Sequence, residues 1–268
     1  MVSHEIRGTT RLMVLIGDPI AQAKTPAAIN PLFAARGVDM ACVPLLVPPV
    51  DLAEVWDGLK RIPNIVGFGI TVPHKQAALA LCDSLDPVAA RVGAVNLARR
   101  ERDGTFRGYQ FDGQGFVRGL LANGIAIEGR DVTIAGAGGA ALAIAFAMVE
   151  AGAKGITVMN RTMDKAESLV AAVNADFGRE VARAGAVDPA AGSLLVNATS
   201  LGLRATDRLP IDPELIQPGM TVAEVVATPE ITPLLAHAKA RGAEIHSGIH
   251  MITGQVGLIA DHLVDIWS

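Results

Sequence analysis

The sequence predicts an α/β protein made of two lobes. Strand-like and helix-like segments alternate along the N-terminal half, and a second series of strands begins with an apolar run that enters a glycine-rich turn at Gly136. Half of the 268 residues are hydrophobic, mostly aliphatic, and glycine is abundant. Because parallel strands need long return connections, which are usually helices, this alternation predicts mostly parallel sheets covered by helices.

The first lobe is predicted from a β-α-β-α-β order. Apolar runs at residues 12–17, 41–47 and 65–71 predict three buried strands. Thr25 and Pro26 form an N-cap and first-turn pair, which predicts a helix that runs to about Ala35. The other elements predicted here are a helix over 52–61, a helix that begins at Pro73, a hairpin over 94–111 that turns at Asp103 and Gly104, and a helix over 113–122.

The second lobe begins at Val132 with a short buried strand, a glycine turn and a helix that is apolar nearly all round. Gly136 allows the tight turn, Gly138 lets the backbone approach a pyrophosphate, and Ala141 takes the third, close-packing position of the dinucleotide-binding pattern. The phosphates are expected on the free N–H groups of the helix that begins near Gly139. The other elements predicted in this lobe are strands over 153–160, 193–197 and 221–226, and a long helix over 249–267.

The residues after the second strand of this unit indicate the cofactor. An NAD enzyme usually carries Asp or Glu there, whereas this chain has Asn160, Arg161 and Thr162, with Lys165 one turn further on. A guanidinium suits a 2′-phosphate and predicts NADP, with NAD as the alternative because Asp164 adds a negative charge. A structural interpretation also stays open, in which Asn160 and Thr162 cap the next helix and Arg161 is a solvated charge.

Composition excludes several function classes. The net charge of −4 comes with no basic cluster that would bind nucleic acid, and no apolar run is long enough for a membrane span. Cys42 and Cys82 are isolated and lack metal spacing, so reduced thiols and no metal site are expected. The N-terminal residues lack a signal-peptide pattern. We therefore expect a soluble cytoplasmic protein, monomeric or homodimeric, that binds small molecules.

Three polar residues near strand ends of the first lobe are candidates for chemistry. Lys75, predicted one turn into a helix, could act as a general acid and base, and Asp112 could pair with it and set its protonation state. Asn96 places an amide in an apolar strand. Each also has a structural interpretation: a solvated helix charge, a helix cap and a satisfied buried turn. His74 has no partner that the sequence reveals and is expected on a helix surface.

Taken together, these residues resemble the shikimate dehydrogenase family along nearly the whole chain. The matching segments are Gly17-Asp-Pro-Ile-Ala-Gln-Ala-Lys-Thr-Pro26, Ile70-Thr-Val-Pro-His-Lys75, Gly93-Ala-Val-Asn96, Asp112-Gly113, Gly136-Ala-Gly-Gly-Ala140, Asn160-Arg-Thr162, Asn197-Ala-Thr-Ser200 and Gln255.

The resemblance implies a substrate domain, residues 1–112 plus 247–268, and a Rossmann-type NAD(P)-binding domain, residues 113–246. It also implies reversible hydride transfer between the nicotinamide and a ring carbon that bears a hydroxyl, as in 3-dehydroshikimate and shikimate. The implied catalytic pair is Lys75 and Asp112. The implied substrate-binding residues are Thr25, Thr71, Asn96 and Gln255; the implied cofactor-binding residues are Gly136, Ala137, Gly138, Gly139, Ala140, Asn160, Arg161, Thr162, Lys165 and Thr199.

Several positions depart from the family pattern. Ala23-Lys24-Thr25 replaces a Ser-Lys-Ser segment whose hydroxyls bind the substrate carboxylate. The other departures are Gly69 for Asn, Gln110-Phe111 for Asn-Thr, Ala227 for Tyr and His250 for Gly. Because each lost hydrogen bond costs about 1 kcal/mol, shikimate itself is expected to bind weakly. We therefore expect a divergent paralogue that acts on a hydroxylated cyclohexene or cyclohexane carboxylate. The alternatives are a quinate-type dehydrogenase that uses NAD and a catalytically silent NAD(P)-binding regulatory protein.

Overall fold

The computed structural model of the chain describes residues 5–186, 192–204 and 206–267 and separates into two units. The first unit comprises Met1–Phe111 and Gln255–Ser268, and the second comprises Asp112–Gly254. Each unit carries one six-stranded sheet. The predicted α/β class is confirmed.

The described residues of the first unit form six strands, three α-helices and the C-terminal part of a fourth α-helix. Its elements are β1 (Arg11–Gly17), α1 (Thr25–Ala35), β2 (Met40–Leu46), α2 (Leu52–Lys60), β3 (Ile65–Ile70), β4 (Ser84–Leu85), α3 (Pro87–Val92), β5 (Leu97–Arg100) and β6 (Phe106–Tyr109). Residues from Gln255 onward belong to the last helix of the chain, α8 (Ile249–Trp267), whose predicted bounds are confirmed.

The first sheet is mixed, in the order β2-β1-β3-β5-β6-β4. Strands β1, β2 and β3 are parallel, as the β-α-β-α-β order predicts. Strand β5 pairs antiparallel with β3 and with β6. The short turn at Asp103 and Gly104 joins β5 to β6, and so short a connection can only join antiparallel strands. On one side of this sheet Trp56 of α2 packs edge-on against Phe68 at 4.5 Å, and Phe68 stacks on Phe106 at 4.5 Å.

Two local predictions in the first unit are wrong. No helix begins at Pro73: residues 72–76 form a turn, and a short 3-10 helix follows at Ala77–Leu81. Thr25 does not cap α1 either. It is the first helical residue, Lys24 occupies the cap position, and no side chain accepts a hydrogen bond there. Lys75 therefore lies in a turn rather than inside a helix.

The second unit has a fully parallel sheet in the order β12-β11-β10-β7-β8-β9. The carboxyl ends of its strands thus lie at one edge, and the strand order reverses beside β7, where ligands bind in such sheets. Its elements are α4 (Asp112–Ala122), β7 (Asp131–Ala135), α5 (Gly139–Glu150), β8 (Gly155–Met159), α6 (Met163–Phe177), β9 (Ala182–Ala184), β10 (Leu194–Asn197), β11 (Thr221–Glu224), α7 (Pro233–Ala240) and β12 (Glu244–His246).

Close helix packing explains two further glycines of the second unit. A side chain at Gly113 would overlap the backbone carbonyl of Ala143, so α4 and the apolar α5 approach as closely as their backbones permit. A side chain at Gly254 would likewise overlap the carbonyl of Gly115, where the first turns of α8 pass α4. Both glycines are therefore required by the contact between neighbouring helices.

The remaining predictions concern thiols, membranes and metals. Cys42 and Cys82 are free thiols, and burial raises the pKa of both to about 12. No helix in the described ranges is long and apolar enough to cross a membrane. Among the same residues, no group of three His, Cys, Asp or Glu side chains is placed to hold a metal ion.

Candidate active site and cofactor pocket

A cavity of about 580 Å³ lies in the second unit at the carboxyl ends of β7, β8 and β10. Its wall combines a glycine turn, two guanidinium groups and several apolar side chains. The lining residues are Ala135, Gly136, Met159, Asn160, Arg161, Met163, Gly185, Ala186, Thr199, Leu201, Arg208 and Pro210. Gly136, Asn160, Arg161 and Thr199 of the predicted cofactor residues therefore meet in one cavity.

The glycine turn has the backbone geometry that its pattern predicts. Gly136 has φ +114°, a conformation that L side chains rarely adopt, and a Cβ there would lie 3.1 Å from the carbonyl oxygen of Ala198. A Cβ at Gly138 would meet nothing within 4 Å, so the backbone is open on this side. Gly136 is needed for the turn itself, whereas Gly138 leaves space in which a ligand can approach the chain.

The N-terminus of α5 is suited to an anion. Gly138 occupies its cap position, no side chain accepts a hydrogen bond from the first turn, and this turn, which includes Gly139 and Ala140, contains no acidic residue. The first N–H groups of a helix have no intrahelical partner and lie at the positive end of its dipole. A helix start of this kind, preceded by a turn such as that of Ala137, is a common binding site for phosphate groups.

The segment after β8 contains the predicted 2′-phosphate residues. Asn160 donates a hydrogen bond through Nδ2 to the carbonyl of Thr162 at 2.9 Å, which fixes the turn. Thr162 occupies the N-cap position of α6, but its side chain makes no capping hydrogen bond. Arg161 is exposed and lines the cavity. Lys165 is exposed in the first turn of α6 and is not among the lining residues.

A buried polar network holds the loop that carries Thr199. The Oδ1 atom of Asn197 accepts hydrogen bonds from the backbone N–H and the hydroxyl of Thr199, at 3.0 and 2.6 Å. Its Nδ2 atom donates to the carbonyl of Leu201 at 3.0 Å and to Oε1 of Glu224 at 2.9 Å. The other carboxylate oxygen of Glu224 accepts from the Thr232 hydroxyl at 2.7 Å. Sequence reasoning missed Glu224, although a carboxylate at the end of an apolar strand was a visible signal.

Burial sets the electrostatics of this network. Glu224 is completely buried, and desolvation raises the pKa of its carboxyl, while the hydrogen bonds from Thr232 and Asn197 act in the opposite direction. Both oxygens of the carboxylate have a donor, which is the usual condition for a buried charge. Glu224 therefore supports the loop from beneath without lining the cavity.

In the first unit, the turn that carries Lys75 is fixed at several points. The N–H of Thr71 donates to the carbonyl of Ile16 at 3.0 Å, and the carbonyl of Lys75 accepts from the N–H of Val95 at 2.9 Å. His74 is 1% exposed, with Nε2 2.8 Å from the carbonyl of Val47. The prediction of a surface position for His74 is wrong, because its ring ties the turn to the segment after β2. Lys75 itself is half-buried.

Two predicted substrate residues contact each other. Asn96 is buried, and its Nδ2 donates to Oε1 of Gln255 on α8 at 2.9 Å. Its Oδ1 accepts from the N–H of Phe111 at 2.9 Å, so one amide, at the residue before β5, contacts both α8 and the residue before Asp112. Asp112 is 2% exposed and is the first residue of α4. Thr25 is half-buried at the start of α1, and Thr71 packs against Gly17.

Comparison with known proteins identifies the family. The family model for the shikimate dehydrogenase substrate binding domain matches residues 15–98 of this sequence. The family model for shikimate / quinate 5-dehydrogenase matches residues 121–182. The shikimate dehydrogenase (NADP(+)) of Rubrobacter xylanophilus is 40% identical over 254 residues, which cover 93% of this chain and 89% of the relative. This chain belongs to the shikimate dehydrogenase family. It is accordingly an oxidoreductase of the NAD(P)-dependent dehydrogenase class.

Two solved structures extend the comparison. The shikimate 5-dehydrogenase of Thermus thermophilus, in complex with NADP(H) and shikimate, is 31% identical with a TM-score of 0.84, covering 96% of this chain and 95% of that one. The ligand-free 5-ketofructose reductase of a Gluconobacter strain is 32% identical with a TM-score of 0.82, covering 96% and 92%. The same fold thus carries enzymes named for different substrates.

The departures from the family pattern are embedded in the packing. A Cβ at Gly69 would lie 2.6 Å from Cε of Met13 and 2.9 Å from Cδ1 of Leu15, so apolar side chains occupy the space of the expected amide. Phe111 stacks on Tyr109 at 5.9 Å and contacts the ring of His262 edge-on at 4.7 Å. The larger side chain before Asp112 is therefore part of an aromatic cluster in the first unit. Gln110 is also buried.

His250 places a second imidazole ring beside His246 in the second unit. Its ring stacks on that of His246 with centroids 4.6 Å apart, and Phe116 contacts His246 edge-on at 6.2 Å. His246 is 2% exposed. Burial lowers its pKa to about 4, and the charge of His250 adds to this effect. Ala227, the position of the expected tyrosine, is half-buried in the loop after β11.

Proposed function

We propose that this chain catalyses reversible hydride transfer between NADP and a ring carbon that bears a hydroxyl, in a hydroxylated cyclohexene or cyclohexane carboxylate such as shikimate. The observation that carries the proposal is the cavity at the carboxyl ends of β7, β8 and β10. It is lined by Gly136 of the glycine turn and by Arg161, and the same turn leads into the uncapped N-terminus of α5. The relatives named as NADP(+) enzymes support the choice of cofactor.

The residues of the second unit fit the cofactor by charge and by space. The first N–H groups of α5 and the open backbone at Gly138 would hold the pyrophosphate. Met159, Met163 and Pro210 offer apolar surface to the adenine, and Arg161 offers a guanidinium to the 2′-phosphate. When bound, the nicotinamide supplies or accepts the hydride.

Lys75 is the proposed general acid and base. As a ketone is reduced, its ammonium gives a proton to the developing alkoxide and stabilises the negative charge; in the reverse direction, the neutral amine takes the proton back. The hydrogen bonds of His74 and Val95 hold the backbone beside Lys75, which limits the positions that its side chain can reach before the substrate arrives. Asp112, a buried carboxylate, accepts hydrogen bonds from substrate hydroxyls.

Thr71, Asn96 and Gln255 are the proposed substrate contacts, together with Thr25. The hydrogen bond between Asn96 and Gln255 orients both amides. A side-chain amide that is already oriented by its partners loses less conformational freedom when a substrate hydroxyl binds to it. We propose that this pair recognises the hydroxyls of the ring, while Thr25 provides one remaining hydroxyl for the carboxylate.

A second candidate substrate class is an uncharged polyhydroxy ketone. Ala23 cannot donate the hydrogen bond to a carboxylate that a serine would, and Gly69 lies among apolar side chains. The likeness to 5-ketofructose reductase shows that this fold serves such a reaction in a protein 32% identical to this chain. An acid and a neutral ketone differ by a full charge, so the two candidates are readily separated.

The test is a matrix of substrates and cofactors read by the absorbance of reduced nicotinamide. Shikimate, quinate and 5-ketofructose are each assayed with NAD(H) and NADP(H). Turnover with a ring acid and NADP supports the proposal, and turnover confined to quinate and NAD supports the quinate-type alternative. Turnover of 5-ketofructose alone supports the second candidate. No turnover with any pair, despite NADPH binding, would identify a silent cofactor-binding protein.

A further inference from the structure

We propose that Arg208 is a second residue for the phosphate on the adenosine ribose and that it forms, with Arg161, a two-guanidinium clamp that selects NADP. This inference rests on the proposed function, because it concerns the same cofactor. It assigns a role to a loop residue that lies outside the strand–turn–helix unit. No motif of the sequence singles out Arg208.

The first observation is the positive charge of the cavity wall. Arg161 and Arg208 are the charged residues among those that line the cavity, and the lining contains no Asp or Glu. Within the described ranges, neither guanidinium takes part in an ion pair or a side-chain hydrogen bond. Two like charges that share one cavity without a carboxylate favour a doubly charged anion between them. A phosphate monoester is such an anion near neutral pH.

The second observation is that the neighbouring residue Asp207 fixes the backbone beside Arg208. Oδ2 of Asp207 accepts hydrogen bonds from the backbone N–H groups of Gly202 and Arg204, both at 3.0 Å. The N–H of Asp207 donates back to the carbonyl of Arg204 at 3.0 Å. These bonds lower the pKa of the Asp207 carboxyl, so it is ionised and the turn is closed at neutral pH. Asp207 is thus a positioning residue for Arg208.

The third observation is that the two arginines belong to separate segments of the chain. Arg161 follows β8, whereas Arg208 belongs to the loop that follows β10. Apolar side chains of Met159, Met163 and Leu201 line the same cavity. An adenosine can therefore lie on the apolar wall while its ribose phosphate is reached from two segments. NAD, which has a hydroxyl in place of that phosphate, would leave both guanidiniums without an anion.

The test measures binding of nucleotide fragments by titration calorimetry, so it needs neither substrate nor turnover. Adenosine 2′,5′-bisphosphate carries the ribose phosphate, and 5′-AMP lacks it. Arg208→Gln is expected to weaken binding of the bisphosphate by about 10- to 100-fold, the range for a charge-assisted hydrogen bond, and to leave 5′-AMP nearly unchanged. Arg204→Gln is the matched control: it changes an exposed arginine of the same loop that is not among the lining residues.

Further variants make the outcome decisive. Arg161→Gln should show the same preference for weakening the bisphosphate, and Asp207→Asn should weaken it while both guanidiniums are kept. Arg208→Lys keeps the charge and provides a folded comparison if Arg208→Gln is unstable; it should bind the bisphosphate with intermediate affinity.

Equal loss for both fragments would overturn the assignment, since Arg208 would then bind the 5′-phosphate. An unchanged affinity in Arg208→Gln would overturn it as well. If the wild-type chain bound neither fragment, the proposed cofactor itself would be contradicted. If the wild-type chain bound both fragments equally, only the proposed clamp would be contradicted, and the cofactor site would stand.

Discussion

The cofactor cavity of the second unit and the substrate residues of the first unit differ in what holds them. The cavity depends on backbone features: a glycine at φ +114° and the shared edge of parallel strands, beside which the uncapped helix α5 begins. The substrate residues depend on individual side chains, and several of these differ from the family pattern, as at Ala23 and Gly69. A backbone cradle tolerates little change, whereas side-chain contacts can be exchanged one at a time. Cofactor use can therefore persist while the substrate changes.

Replacement of Lys75 should have the largest effect, because the chemistry depends on it whichever substrate is used. We expect Lys75→Ala to lower kcat by about 10²- to 10⁴-fold, the usual contribution of a general acid and base, on the best substrate of the matrix. NADPH affinity, measured by fluorescence titration, should stay unchanged. Lys239→Ala, an exposed lysine of α7, is the control. Retained turnover in Lys75→Ala would contradict the proposed role.

Removal of the Glu224 carboxylate should destabilise the second unit next most strongly. Glu224→Ala leaves a cavity and deprives Asn197 and Thr232 of their buried partner, at a cost of about 3 kcal/mol in the free energy of unfolding. NADPH should bind more weakly as well, because the loop with Thr199 is released. Denaturant unfolding and fluorescence titration measure the two effects.

Glu224→Gln separates hydrogen bonding from charge. The amide can still bond to Asn197 and Thr232, so the loop and NADPH affinity should be preserved. Because the raised pKa of Glu224 favours its protonated form in the folded state, the stability of the wild type relative to Glu224→Gln should fall as pH rises from the ordinary glutamate pKa through the raised one. If the difference in stability between wild type and Glu224→Gln did not change with pH, the raised pKa of Glu224 would be refuted.

His246 gives the opposite pH dependence in the same unit. Its pKa of about 4 lies below the ordinary value of 6.5, so the unfolded chain takes up a proton before the folded one does. The wild type should therefore lose about 3 kcal/mol of stability between pH 7 and pH 4 relative to His246→Phe, which keeps an aromatic ring beside His250 and Phe116. Thermal unfolding across this range measures the loss, with His237→Phe, at an exposed position of α7, as the control. Parallel curves for wild type and His246→Phe would contradict the low pKa.

Features set by local pattern can be predicted from the sequence, whereas features set by tertiary contacts cannot. Strands such as β3 and the helix Ile249–Trp267 agree with the apolar periodicity, and Gly136 agrees with the turn that it must form. The buried position of His74 escapes prediction because its partner, the carbonyl of Val47, lies 27 residues away. A proline by itself favours the start of a helix at Pro73. The backbone of this segment is instead held in a turn by hydrogen bonds to residues distant in sequence, such as that from Thr71 to Ile16.

The cavity shows the same division at the level of single residues. The segment with Asn160 and Arg161 follows a strand of the dinucleotide unit, so its place at the site could be expected from spacing. Arg208 lines the cavity from a loop, and Glu224 supports the loop of Thr199 from a neighbouring strand; no spacing rule exists for either connection. Only the parallel order of β11, β10 and β7 brings them near the glycine turn. The prediction of NADP from sequence rests on one guanidinium, whereas the structure offers two.

The smallest effect should come from restoring one substrate contact. Ala23→Ser returns a hydroxyl at a half-buried position just before α1, where the family pattern has a serine for the substrate carboxylate. One added hydrogen bond contributes about 1 kcal/mol, so the KM for shikimate should fall about fivefold while kcat stays the same. Activity on a neutral ketone such as 5-ketofructose should not improve. Ala21→Ser, an exposed neighbour, is the control. If Ala23→Ser improves neither substrate, the carboxylate does not bind at this position, and the charge of the natural substrate must be recognised elsewhere or be absent.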